Sequence, residues 1–282
     1  ARVQFVGTGP GDPNLLTLGA VDAINRAQVI VISCAEHRML LGSDFLELRP
    51  DVRIVLAGDA DEEAVALPSQ PGGAPTPVDV DEHCTDLIAT VIEAASQGLE
   101  VVRLVSGDPF LDGDIGAEAA AVARADHDVD VIPGVTGMTA VPEYAGLILH
   151  GHDVQLIGDA ACQRDIAGHG PDWSDQGLIV VHTSAGKLKE VVKHAVASGR
   201  SEDEPAALIC HGATTQQITH TVTLGALPQT AKTARLDSAE PVHVAIGKVV
   251  EAPDREQLDW YESKPLFGWN ILIPRTRDHS AT

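Results

Sequence analysis

Residues 6–20 read VGTGPGDPNLLTLGA and follow directly on the apolar run 3–6. Glycines at 7, 9 and 11 admit backbone conformations closed to other residues and let another group come close to the main chain. Prolines at 10 and 13 stiffen the turn and remove two amide donors. Apolar run, Gly/Pro turn and amphipathic stretch 16–27 together predict strand, loop and helix. Such a loop cradles a phosphate, holds some other ligand, or turns a corner.

The alternation continues. Strands are expected at 29–33, 52–56, 101–105 and 129–132, with helices at 81–96 and 117–124. Continuous Val/Ile runs between helices imply a parallel sheet covered on both faces. Two further strands end in special turns: VVRLVSGDPFLDG over 101–113 and VIPGVTGMTAVPEYAG over 131–146. Ligands of open parallel sheets sit beyond the carboxyl ends of the strands, so three Gly/Pro loops at such ends outline one crevice. Each turn alone is ordinary; three at the same kind of strand end are not. The dinucleotide fingerprint lacks its third glycine, and no GxxxxGK[ST] loop occurs, which weakens NAD and ATP.

Near residue 150 the pattern changes. Strands are expected at 154–157, 178–182, 206–210, 218–223 and 242–249, with a helix at 186–197. The fourth follows the third closely enough for a hairpin, so a second α/β domain with a mixed sheet is expected. The domains are thus placed at 1–150 and 151–252, and 58–80 is an acidic, Pro/Gly-rich loop.

Composition narrows the function. The 282 residues carry a formal net charge of −22, with 44% hydrophobic but only 3% aromatic residues. The core must be aliphatic. The charge argues against nucleic acid and anionic membrane surfaces, which need Lys and Arg. Cysteines at 34, 84, 162 and 210 show no metal-ligand spacing and fit reduced thiols in the cytoplasm. No apolar run approaches the roughly 20 residues of a membrane span.

GTGPGDPNLLTLGA, VVRLVSGDPF and VIPGVTGMTAVPEYAG resemble, in order, the three loops of the tetrapyrrole methylases, most closely the uroporphyrinogen-III C-methyltransferase branch. PAALICHGATTQQITHTVTLGAL and PVHVAIGKVV resemble the family's second domain. The resemblance implies two α/β domains with a cofactor cleft between them. It also implies methyl transfer from S-adenosylmethionine to uroporphyrinogen III, giving precorrin-2 and S-adenosylhomocysteine. A homodimer is implied as well. LDWYESKPLFGWNILIPRTRD, residues 258–278, resembles the junction of fusions to uroporphyrinogen-III synthase, so 253–282 is expected to be a linker and a stub of that domain.

By the same resemblance Pro10 contacts the cofactor, and Ser106, Gly107 and Asp108 hold its methionine end through backbone groups, with Leu111 packed beside it. Thr136 and Gly137 follow, and His182 and Gly212 close over the adenine side. The catalytic residues stay unassigned, because the departures fall there. Ser33 stands at the family's Asp position and Cys34 at its Arg. Gly58 lies near its Lys, and Asp114 replaces an Arg. An octa-carboxylate substrate needs cations, and Arg38, Arg103, His150 and His152 are the candidates to offset Asp112 and Asp114. The rival expectations are a degenerate scaffold for the attached synthase and a cofactor-sensing domain without turnover.

Overall fold

The computed structural model describes residues 1–57, 82–84, 86–158, 173–252 and 255–269. The acidic stretch 58–80 with Gly58, Cys162, and the run 270–277 of the expected stub lie outside these residues. Contacts divide the chain into two compact units. One holds Ala1–Thr8 and Leu16–Gly134; the other holds Gly9–Leu15 and Val135–Phe267.

The first unit is built on β1 (Arg2–Gly7), β2 (Val29–Ile32), β3 (Arg53–Ala57), β4 (Glu82–Cys84), β5 (Val101–Val105) and β6 (Asp128–Ile132). All pair in parallel, in the order β4-β3-β2-β5-β1-β6. The helices are α1 (Leu18–Arg26), α2 (Ala35–Leu41), α3 (Leu87–Ser96) and α4 (Gly116–Arg124). Alternate strand residues enter two separate cores. Val3, Phe5, Val29, Val31 and Val101 pack with Val91, Ala94, Ala95 and Val122 of α3 and α4. Val6, Ile30, Ile32, Leu56 and Leu104 pack with Ala20, Ala23 and Ile24 of α1. Burial on both faces is why these strands read as unbroken apolar runs. Thr17 caps α1 by accepting from the Ala20 amide at 3.1 Å. Asp86 caps α3 from the Ala89 amide at 2.9 Å. That cap is why the helix expected over 81–96 starts only at Leu87, leaving 82–84 to form an edge strand.

The second unit carries β7 (Val154–Ile157), β8 (Leu178–Ser184), β9 (Pro205–Cys210), β10 (Ile218–Thr223) and β11 (Pro241–Ile246), in the order β10-β9-β11-β8-β7. Only β7 and β8 run parallel, and β9 and β10 form the expected hairpin. The strand expected over 242–249 ends at Ile246, because Gly247, at φ +148, turns the chain into a short 3-10 helix. Helices α6 (Leu188–Ala197) and α7 (Leu227–Thr233) cover one face. The other is covered by α5 (Gly137–Tyr144), whose Met138 and Val141 pack on Val180, Ala207, Ile209 and Ala245.

This packing bears on the expected boundary near 150: α5 and the residues after it belong with the second sheet. The expected linker also contains packed chain. Tyr261 is buried against Tyr144 at 4.5 Å between ring centroids. Glu262 accepts from Gln217 Nε2 at 2.9 Å, from the Thr219 amide at 3.2 Å and from the Thr219 hydroxyl.

Candidate functional site

In the first unit the three loops meet through glycine. They leave β5, β1 and β6, which are neighbours in the sheet. A Cβ built on Gly7 would lie 2.5 Å from the Gly134 nitrogen and 2.7 Å from the Gly107 oxygen. One built on Gly134 would lie 2.1 Å from that same oxygen. Backbone touches backbone, so no side chain fits at either position.

Gly107 has φ +67, and its own Cβ would fall 2.1 Å from Asp112 Oδ2. That carboxylate accepts from the Asp108 amide at 2.7 Å. The Asp108 carboxylate in turn accepts from Phe110 N at 3.0 Å, Leu111 N at 3.1 Å and Gly134 N at 3.3 Å. The Asp108 carbonyl accepts from the Asp112 and Gly113 amides. Both the amide and the carbonyl of Asp108, whose backbone the resemblance assigns to the cofactor, are hydrogen-bonded within the loop. Leu111 is exposed.

Beside this loop lies a polar cluster. Arg103, buried on β5, pairs with Glu118 of α4 at 3.3 Å and donates to the Ser33 hydroxyl at 3.2 Å. Its charge is therefore matched inside the unit, which removes it from the cations expected to face a carboxylate substrate. His37 of α2 is buried, and its Nε2 lies 3.2 Å from the Ser106 hydroxyl. Burial, with the Arg103 charge second, pushes His37 down to about 3, so the ring is neutral. Cys34 lies 3.8 Å from Ser106. Burial, and then Glu36, push its thiol up to about 12, so it is no nucleophile at neutral pH. His37 was not singled out by sequence; a histidine inside AEHRML gave no sign that the helix would bury it.

In the second unit several of the expected cofactor residues gather at the start of α5. Thr136 caps this helix by accepting from Met138 N at 3.1 Å. A Cβ on Gly137 would lie 2.9 Å from His243 Nε2 and 3.7 Å from the Pro10 side chain. His243 pairs across the sheet with His182 and stacks on it, with centroids 4.5 Å apart and planes 10° from parallel. A Cβ on Gly212 would meet Val141 of α5 at 2.4 Å. A Cβ on Gly11 would meet Thr214 at 2.9 Å and the Gly212 oxygen at 3.3 Å. Pro10, Gly137, His182 and Gly212 thus surround one helix end and one strand pair.

His243 Nε2 is buried and has no hydrogen-bond partner among the described residues. Burial, then the neighbouring His182, hold its ring well below the usual histidine range, hence neutral. A neutral imidazole nitrogen buried without a partner is costly, and a hydrogen bond from a polar ligand atom would offset that cost. An adenosyl group carries donors and acceptors of the kind such a nitrogen pairs with. The only sequence trace of His243 is a polar residue in the otherwise apolar VHVAI.

With the geometry in place, comparison with known proteins identifies the class. Residues 2–228 match the Tetrapyrrole (Corrin/Porphyrin) Methylases. The chain belongs to this family. It is 33% identical over 266 residues to a uroporphyrinogen-III C-methyltransferase of a Sinorhizobium species, covering 92% of this chain and 86% of that protein. It is 31% identical to siroheme synthase 1 of Serratia proteamaculans, covering 94% of this chain and 51% of the relative. It therefore spans about half the length of that synthase. Among solved structures, a cobalt precorrin-4 methyltransferase superposes with TM-score 0.66 at 19% identity, covering 88% of this chain and 95% of the other. The uroporphyrin-III C-methyltransferase of Thermus thermophilus, complexed with S-adenyl homocysteine, superposes with TM-score 0.57 at 22% identity, covering 89% and 99%. These two establish the fold. The expected family and the expected pair of α/β sheets both hold.

Proposed function

We propose that this chain is an S-adenosylmethionine-dependent C-methyltransferase that converts uroporphyrinogen III to precorrin-2. The observation that carries the reading is the junction of Gly7, Gly107 and Gly134, which gathers the three loops of a tetrapyrrole methylase at adjacent strand ends. When bound, S-adenosylmethionine supplies an electrophilic methyl group on its sulfonium. In the first unit Ser106 and Gly107 would receive the methionine end, with Leu111 beside it and Asp108 holding the loop in shape. In the second Pro10, Thr136, Gly137, His182 and Gly212 receive the adenosyl end, with His243 Nε2 as a further partner.

The protein's contribution to rate would be placement: its loops would hold the cofactor so that the methyl group it supplies faces an electron-rich pyrrole carbon of the substrate. His150 and His152, with Arg38, are the cations proposed for the substrate's carboxylates; Arg103 is paired with Glu118 inside the first unit. We also propose a homodimer, which light scattering at micromolar concentration tests.

One observation favours a second reading, cofactor binding without turnover. Ser33, at the family's Asp position, holds Arg103 by its hydroxyl and offers no carboxylate. Transfer of labelled methyl to enzymatically made uroporphyrinogen III decides between them, run on the parent and on a Ser33→Asp, Asp114→Arg variant. Parent turnover supports the methyltransferase; turnover confined to the variant supports a decayed one. Calorimetry with S-adenosylhomocysteine tests binding alone, and no heat from the parent rejects both readings.

A further inference from the structure

The glycine-rich loop of the second unit is fastened at a point unrelated to its glycines. Asp12 divides its carboxylate between two tasks. Oδ1 accepts from the Asn14 amide at 2.9 Å and from Asn14 Nδ2 at 2.8 Å, closing the turn. Oδ2 accepts from the Tyr144 hydroxyl at 2.8 Å. Tyr144 is the last residue of α5, the helix whose first turn carries Thr136 and Gly137. One hydrogen bond therefore ties the Pro10 loop to that helix.

Tyr144 is itself held from the chain after residue 255. Trp260 packs edge-on against it at 5.0 Å, and Tyr261 does the same at 4.5 Å. The Trp260 indole N–H donates to the Glu143 carbonyl at 3.0 Å. Lys264 lies over both outer rings, at 4.9 and 4.7 Å from their centroids. Phe267 closes the cluster against Tyr261 at 5.1 Å. With so few aromatic residues in the chain, their concentration here calls for a reason beyond core filling. Burial and the Asp12 carboxylate raise the Tyr144 pKa, so the hydroxyl keeps its proton and remains the donor.

We infer that the segment 260–267 is a clamp that sets Tyr144, and through Asp12 the Pro10 loop, in the conformation that receives the cofactor. Tyr144, Trp260 and Tyr261 are positioning residues: each acts through another and none needs to touch the cofactor. The inference rests on the cofactor reading of Pro10 given above.

The test uses the full chain and two readouts: hydrogen exchange of the amides 9–15, and calorimetry with S-adenosylhomocysteine. Tyr144→Phe removes one oxygen and keeps the ring. It is expected to raise exchange in 9–15 at least tenfold and to weaken binding about five- to twentyfold, with little change in melting temperature. Trp260→Phe, which loses the indole donor but keeps a ring, should move both readouts in the same direction by less. Asp12→Ala combined with Tyr144→Phe should be no weaker than the worse of the two singles, because both break one contact. Exchange and affinity unchanged in Tyr144→Phe would overturn the clamp, and so would additive losses. If the parent itself shows no binding, the cofactor reading fails; unchanged exchange in Tyr144→Phe would then overturn the clamp separately.

Discussion

Alanine at position 107 meets two obstacles. The backbone there has φ +67, where an L side chain costs about 1 kcal/mol. The new Cβ would also sit 2.1 Å from Asp112 Oδ2 and 2.5 Å from its Cγ, so the carboxylate must leave. Leaving breaks its 2.7 Å bond from the Asp108 amide, a charge-assisted contact of about 1.5–3 kcal/mol. The expected loss for Gly107→Ala is therefore about 3 kcal/mol in urea denaturation, large against a total stability of roughly 5–15 kcal/mol. Asp112→Gly removes the obstacle, and in that background Gly107→Ala should cost only about 1 kcal/mol, for the backbone alone. The cycle thus predicts a coupling of about 2 kcal/mol. A loss below 1 kcal/mol in the parent, or the same loss in both backgrounds, would refute the loop geometry. Loss of cofactor binding in a position-107 variant does not by itself mark a cofactor contact, because the side chain collides first with the loop.

Stability should fall in acid for a reason located at His37. Folded, its pKa is about 3; unfolded, it returns to about 6.5. Above pH 6.5 neither state binds the proton. Below it the unfolded chain takes up a proton that the folded one refuses, at about 1.4 kcal/mol per pH unit until about pH 3. His37→Gln should flatten the denaturation profile between pH 6.5 and 4, and an unchanged slope would argue against a neutral buried ring. His243, lowered in the same direction, adds to the acid loss, and bound S-adenosylhomocysteine should shift that limb to lower pH if Nε2 is a ligand partner. Arg200, buried and paired with Glu204 at 2.6 Å, also donates to the Ser174 and Gln176 carbonyls. Arg200→Met should cost about 3–5 kcal/mol by melting, since it strands a mostly buried carboxylate and leaves part-buried carbonyls without their donor. Glu262→Ala, which leaves Gln217 and Thr219 without their acceptor, should cost about 2–3 kcal/mol, and Glu262→Gln much less.

Local pattern determined every strand of the two sheets except β4, which read as the start of a helix; a run buried on two faces, such as β2, is an unbroken Val/Ile stretch that needs no knowledge of neighbours. It also located the three glycine loops, and their resemblance to the tetrapyrrole methylases identified the family. The sequence could not reveal why those glycines are obligatory, since the colliding atoms come from residues distant in the chain, such as Gly107 and Gly134. Helix α5 read as loop because its start, VTGMTAVP, mixes Gly, Thr and Pro; tertiary packing of Met138 and Val141 on the second sheet overrides that weak propensity. An internal pair is the expectation for Arg103 on a buried strand, but its partner, Glu118 on α4, is set only by the packing of that helix on the sheet. His37 and His243 acquire their neutral rings only from surroundings that folding assembles, and desolvation is a property of the enclosed volume, not of the residue. The segment 258–278 reads as linker and stub from its resemblance to a fusion junction, and its ring contacts with Tyr144 join residues more than a hundred apart in the chain. Period and turn chemistry are written in adjacent residues; charge pairing, ring stacking and backbone contact exist only once distant segments meet.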